Sequence, residues 1–369
     1  MVSIDFELIA PSNCGNREPK VHMTIPKTQK AALLFGPNDV RVQEVPVPSL
    51  QQGEVLVRIM LATTCGTDLK TFKRGGHPQI IKSLPSPLGH EMTGIIVRLA
   101  EGVQGFGVDD RVVIANSAPC LQCFYCEKEQ FNLCEDIHFI NGAYSQFLAV
   151  PERFVRTNLH KIPEALAYEK AVLTEPLACV LFACQKIPVE PGETVVVIGD
   201  GPMSFLFNQV LQMQKARTIV FGLDTQRLEW IKQSGADHVF DSSQVDVVKT
   251  VQGLTEGHGA AVAIEAVGLP QTWEQAVQLV CKGGRVLCYG GCAKGTEMKL
   301  DTYRLHYDEI SILGTFHYTP SVMDEAIRLL AEGRVNTAIL TAEQRTLNDL
   351  QNIFLGKDPK PALKYLIRP

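Results

Sequence analysis

Residues 194–224 read TVVVIGDGPMSFLFNQVLQMQKARTIVFGLD. A short apolar run rich in valine leads into a glycine-rich turn. A helical pattern follows over about 203–215, and a second strand pattern, TIVFGLD, ends in an acid. Gly199 permits a tight turn, and Gly201 lets the backbone approach a pyrophosphate. The helix start beyond it offers free N–H groups and the positive end of a dipole. The third glycine of this fingerprint is replaced by Ser204, still small enough for close helix–strand packing. Asp224 lies where a carboxylate binds ribose hydroxyls and repels a 2′-phosphate, which favours NAD over NADP. The competing reading is a packing unit of the same shape that binds nothing.

The pattern extends outward from this unit. A helix is expected at about 225–233, strands at HVF, AVAIEA, RVLCYG and ISILGTF, and a helix at about 321–332. Strand and helix alternate, as in a doubly wound parallel sheet. Before about Pro163 the character differs. AALLF, VRVQEV, EVLVRIM, TGIIVRLAEG and RVVIAN are short strand patterns separated by turns and by loops carrying Cys and His. The fold class is therefore α/β, with a β-rich part and a doubly wound part. Residues 1–28 are polar and irregular and read as an extension, disordered or an interface arm.

The chain has 369 residues, which suits about two domains. It is 45% hydrophobic and 20% charged, with net charge −5 and no basic run, so nucleic acid and anionic membrane surfaces are not expected partners. No stretch of about 18 apolar residues suggests a membrane span. The first residues lack the charged and apolar regions of a secretory signal. Eleven cysteines, an odd count, favour reduced thiols or metal ligands over a disulfide framework, and a cytoplasmic location is expected.

Four of those cysteines fall in CLQCFYCEKEQFNLC, at Cys120, Cys123, Cys126 and Cys134. A closed metal clip, two disulfides and a redox-active pair all begin this way. Three further pieces are CGTD at 65–68, GHE at 89–91 and TEP at 174–176. Cys65, His90 and Glu175 make a mixed S/N/O set, and three protein ligands with an open position is the pattern of a catalytic zinc. Singly, each has a plain reading: a small buried hydrophobe, a core histidine, a solvent-facing acid. Spacing alone does not join them.

With CGTD, GHE, the cysteine lobe and GDGP in this order, residues 30 to 369 resemble the zinc-dependent medium-chain dehydrogenase/reductase family, in its alcohol and sorbitol dehydrogenase group. The resemblance implies a GroES-like catalytic domain over 29–162 and 304–369, and a Rossmann domain over 163–303. It implies two zinc ions per chain, one structural in the four cysteines and one catalytic on Cys65, His90 and Glu175, with Glu91 able to approach. Thr67 matches a proton-relaying hydroxyl. Asp68 matches a carboxylate that orients the histidine ligand. Phe316–Tyr318 lies where polyol dehydrogenases carry Phe-Arg-Tyr near substrate, so His317 replaces an arginine. Gly199, Gly201, Pro202, Met203, Asp224, Arg227, Val267 and Thr315 are expected to hold NAD.

Lys70 stands where many relatives end the relay with histidine, and lysine is a poor shuttle near neutral pH; the nearby His77 is an alternative. Cys179, four residues past Glu175 on the expected helix, reads as core packing. The implied reaction is reversible hydride transfer between a secondary alcohol (polyol, cyclitol or sugar-derived) and NAD. Alternatives are a threonine-type amino-alcohol or simple alcohol dehydrogenase, and more remotely a nucleotide-binding protein without turnover. The expected partners are a small alcohol or ketone and further copies of the chain, as a homodimer or homotetramer.

Overall fold

The computed structural model describes residues 24–77, 79–81 and 83–369. Most of the expected extension therefore lies outside the described residues. Thr28 itself already opens the strand Thr28–Gly36, which pairs antiparallel with Asp39–Pro46.

Six parallel strands form one sheet in the order His238–Asp241, Arg217–Gly222, Thr194–Ile198, Ala260–Glu265, Val280–Cys288, Ser311–Gly314. Their residues alternate between two apolar clusters. Val195, Val197, Val220 and Ile264 pack on one face, while Val196, Ile198, Ile219 and Val286 pack on the other. Both faces are covered, which explains the unbroken valine run at 195–197. Strand order reverses between Thr194–Ile198 and Ala260–Glu265, and in such sheets a ligand binds at the reversal, beyond the carboxyl ends of the strands. The last strand, Ser311–Gly314, lies past residue 303, so the parallel sheet extends further than the expected Rossmann boundary.

The other half is built on a seven-stranded sheet centred on Val55–Thr63 and Glu91–Leu99. The chain end returns to it: Tyr365–Arg368 pairs antiparallel with Val55–Thr63 and parallel with Glu343–Thr346. Its core gathers Val57, Phe72, Met92, Ile114, Tyr144 and Ile367. The first of the parallel sheet's two clusters also joins the halves. Leu61 and Val113 from the β-rich sheet pack with the helices Thr174–Lys186 and Pro320–Ala331 and with one face of the parallel sheet. Among the described residues, no helix is long and apolar enough to cross a membrane.

Candidate active site

Cys65 caps the helix Gly66–Arg74, and His90 immediately precedes the strand Glu91–Leu99. The antiparallel register that sets Thr63 opposite Glu91 brings these two segments together. Ligand atoms of Cys65, His90 and Glu91 all lie within 4.8 Å of one another. Gly89 makes the approach possible at φ +89°: a Cβ there would stand 2.8 Å from the Tyr144 ring.

Behind these residues is a buried hydrogen-bond network. Asp68 Oδ1 lies 2.9 Å from His90 Nδ1. Its other oxygen accepts from the Tyr144 hydroxyl at 2.7 Å and from the Cys65 N–H at 3.3 Å. Burial pulls the His90 pKa down, but the charges of Asp68 and Cys65 overcome it and hold it well above the ordinary value. Asp68 fixes the ring through Nδ1, and a metal at Nε2 would displace the proton from that nitrogen. Thr67 is half-buried on the first turn of the same helix, and Lys70 is exposed. Half-buried His77 has its pKa lowered by burial and then by Arg74 and His90.

Glu175 sits in the first turn of Thr174–Lys186 and is buried. It belongs to a second set: atoms of Glu175, Cys179 and His317 lie within 4.8 Å of one another. The structure does not group Glu175 with Cys65 and His90 at that distance, but the two sets act on each other electrostatically. Burial raises the Glu175 pKa to about 7, the charge of Glu91 adds to the rise, and His90 and Lys364 oppose it. Cys179 packs against the core, as its helical position suggested, and its thiol also donates to Glu175 Oε1 at 3.6 Å.

His317 has left-handed backbone, φ +61°, uncommon for a residue with a Cβ. Three contacts hold it. Asn132 Nδ2 donates to the Phe316 carbonyl at 2.8 Å, His317 Nε2 lies 2.5 Å from Ser117 Oγ, and the Tyr318 hydroxyl donates to Asn116 Oδ1 at 2.7 Å. Asn132 lies between the third and fourth cysteines, so the cysteine lobe touches the segment that carries His317.

Within the lobe, Cys120, Cys123, Cys126 and Cys134 have all four sulfurs within 4.8 Å of one another, and none is in a disulfide. Sulfur-only donors at that spacing suit a closed tetrahedral zinc site. The Cys120 N–H donates to the Cys134 sulfur at 3.2 Å. A backbone N–H at Glu135 leads the effects that lower the Cys123 thiol to about 6, and burial raises the Cys134 thiol to about 12.

At the glycine-rich turn, Gly199 has φ +124°, and a Cβ there would meet Ser204 Oγ at 3.2 Å and Val267 Cγ2 at 3.3 Å. That is the close packing expected of the small Ser204, which is fully buried. A Cβ at Gly201 would meet nothing within 4 Å. The helix Pro202–Met213 begins with no side chain capping it, so its first N–H groups remain available; Met203 follows Pro202 in that turn. Ser204 Oγ and Thr315 Oγ1 are buried hydroxyls without a hydrogen-bond partner. Asp224 is exposed at the end of its strand and caps the next helix, accepting from the Arg227 N–H at 3.0 Å. An open glycine cradle, an uncapped helix start and an acid beyond it fit a dinucleotide.

Residues 51–164 match the family model described as an alcohol dehydrogenase GroES-like domain, and residues 202–332 match that of a zinc-binding dehydrogenase. The sorbitol dehydrogenase of Bacillus subtilis (strain 168) is 30% identical over 89% of this chain and 93% of its own length. This chain belongs to the zinc-dependent medium-chain dehydrogenase family. An erythritol/L-threitol dehydrogenase of Mycolicibacterium smegmatis is 28% identical over 94% of this chain and 99% of its own. A solved zinc-binding dehydrogenase of Sinorhizobium meliloti 1021, bound to NADP, superposes with a TM-score of 0.85 at 25% identity, covering 93% of this chain and 100% of that one. Family membership makes the chain an oxidoreductase of the zinc alcohol dehydrogenase type, with zinc and a nicotinamide cofactor.

Sequence reasoning missed several groups that the fold brings to the site. Lys364 ion-pairs with Glu91, Tyr144 supports Asp68, and Asn116, Ser117 and Asn132 hold the His317 segment. Only Asn132 lies in a recognisable motif, the cysteine lobe, and nothing in that spacing marks its own role.

Proposed function

We propose that this dehydrogenase oxidises a secondary hydroxyl of a polyol or related sugar alcohol, reversibly, with NAD. The observation that carries the reading is the convergence of Cys65, His90 and Glu91, backed by Asp68 and faced by Glu175. This donor set suits zinc, and the four-cysteine lobe suits a second, structural zinc. When bound, the catalytic zinc lowers the pKa of an alcohol oxygen and the nicotinamide accepts hydride.

The chain's own residues prepare that step. Asp68 holds His90 in one tautomer. Thr67, next to Asp68 in sequence, is assigned to accept the hydroxyl proton. Lys70 is exposed, so the proton continues to water rather than through a histidine at that position. The uncapped start of Pro202–Met213 and the open Gly201 receive the pyrophosphate, while Thr315, Val267 and Met203 border the rest of the cofactor. Asp224 accepts ribose hydroxyls and disfavours a 2′-phosphate. The polyol class is supported by the names of the sorbitol and erythritol/L-threitol relatives. An NADP-dependent reading is favoured by the NADP bound in the Sinorhizobium structure, against which the exposed Asp224 weighs. Every described cysteine is free, which fits a cytoplasmic setting, and a homodimer or homotetramer is the assembly expected.

The test is an initial-rate panel of polyols, cyclitols, sugars, L-threonine and simple alcohols, each with NAD and with NADP. Turnover of polyols with NAD is the expected result. Turnover of L-threonine alone would move the substrate class, and a preference for NADP would overturn the Asp224 argument.

A further inference from the structure

Asp200 stands between the two glycines of the phosphate turn, a position where the fingerprint itself asks for no particular side chain. Its Oδ2 accepts two backbone N–H groups from the end of the neighbouring strand, Leu223 at 2.7 Å and Asp224 at 2.8 Å. Its Oδ1 faces Arg227 Nη1 at 3.7 Å. Gly222 makes room: a Cβ there would lie 2.5 Å from Asp200 Cβ. The carboxylate therefore fits closely against the strand end, and it touches both the residue expected to bind ribose and the nearest cation.

We infer that Asp200 is a determinant of cofactor choice, acting on both Asp224 and Arg227. The inference rests on the reading that the adenosine ribose lies against Asp224. Two adjacent backbone N–H groups pointing the same way attract anions. At the end of Arg217–Gly222 such a pair would welcome a 2′-phosphate. Asp200 occupies both donors and adds a negative charge of its own. Arg227, three residues past Asp224, is the cation within reach of a 2′-phosphate, and Asp200 engages its guanidinium. Asp224 itself is fixed from two sides, its N–H by Asp200 and its Oδ1 by the helix cap. The single carboxylate thus closes an anion site and orients the ribose acceptor.

The two effects separate by substitution. In Asp200→Asn, an amide oxygen of the same shape still accepts both N–H groups, while the group facing Arg227 becomes neutral. In Asp200→Ala both are lost. The measurement is fluorescence titration of the full-length, zinc-loaded protein with NADH and with NADPH, which needs no substrate. Asp200→Asn is expected to shift the NADPH-to-NADH affinity ratio toward NADPH by about tenfold, the change that 1.4 kcal/mol brings. Adding Arg227→Ala to that variant is expected to abolish the gain. Asp200→Ala is expected to weaken NADH as well, because Asp224 loses its anchor.

A ratio that stays within about twofold of wild type in Asp200→Asn, or a gain that persists without Arg227, overturns the inference. A wild-type protein that prefers NADPH would instead overturn the NAD reading. The shift between wild type and Asp200→Asn still reports separately on Asp200.

Discussion

Lys364 Nζ lies 2.7 Å from Glu91 Oε1, with the two side chains 1% and 0% exposed. The ammonium also donates to the Thr64 carbonyl at 2.9 Å. The last strand carries it there by pairing with Val55–Thr63, so the chain terminus supplies a charge to the carboxylate beside His90. Burial alone would lower the lysine pKa, but Glu91 reverses the effect and raises it.

Breaking this pair leaves one charge buried without a partner, a loss of about 3–5 kcal/mol. Lys364→Met is therefore expected to lower unfolding free energy by about that amount, and Lys364→Met with Glu91→Leu to recover most of it. Denaturant unfolding of each variant checks this. A loss below about 1 kcal/mol in the single variant would show that water reaches Glu91.

His317 gives a pH prediction. Burial, aided by His90, lowers its pKa from 6.5 to about 3. The folded state thus binds fewer protons than the unfolded chain between those values, and stability rises with pH across them. The contribution is complete above about pH 6.5 and is lost as the pH falls toward 3. Thermal midpoints measured from pH 7 to pH 4 should fall less steeply in His317→Gln than in wild type. Equal slopes would place the histidine in contact with solvent.

Asn132 is the link between the cysteine lobe and the segment bearing His317. Asn132→Ala removes the donor to the Phe316 carbonyl, a part-buried hydrogen bond worth about 0.5–1.5 kcal/mol. The expected result is a modest drop in thermal midpoint with a larger drop in kcat/KM, and no change in zinc content. A variant with wild-type kcat/KM would make the contact purely structural.

The lobe itself answers to metal. Cys123→Ser removes one of four sulfurs from a site whose closure depends on all of them. One zinc per chain should be lost, with lower stability and weaker turnover through the Asn132 contact. Retention of both zinc ions would mean the lobe holds its metal with three sulfurs.

Much of this was legible in the chain itself. The valine run at 195–197 and the alternation beyond it announce the parallel sheet, because strands covered on both faces need apolar residues at every position. The cysteine lobe was legible because its ligands are local. The meeting of Glu175, Cys179 and His317 was not. His317 is far from the other two in sequence, and its place is set by the connector after Ser311–Gly314. Lys364 was equally silent: a lysine near the end of a chain reads as exposed until strand pairing buries it. Asp200 was visible inside GDGP, but its partners at 223, 224 and 227 appear only when two strands lie side by side.

Cys65→Ala tests the catalytic zinc site through zinc content measured together with polyol turnover. Wild type is expected to hold two zinc ions per chain, the variant to keep only the one in the cysteine lobe, and its turnover to be lost. A variant that kept both ions and the wild-type rate would contradict this expectation.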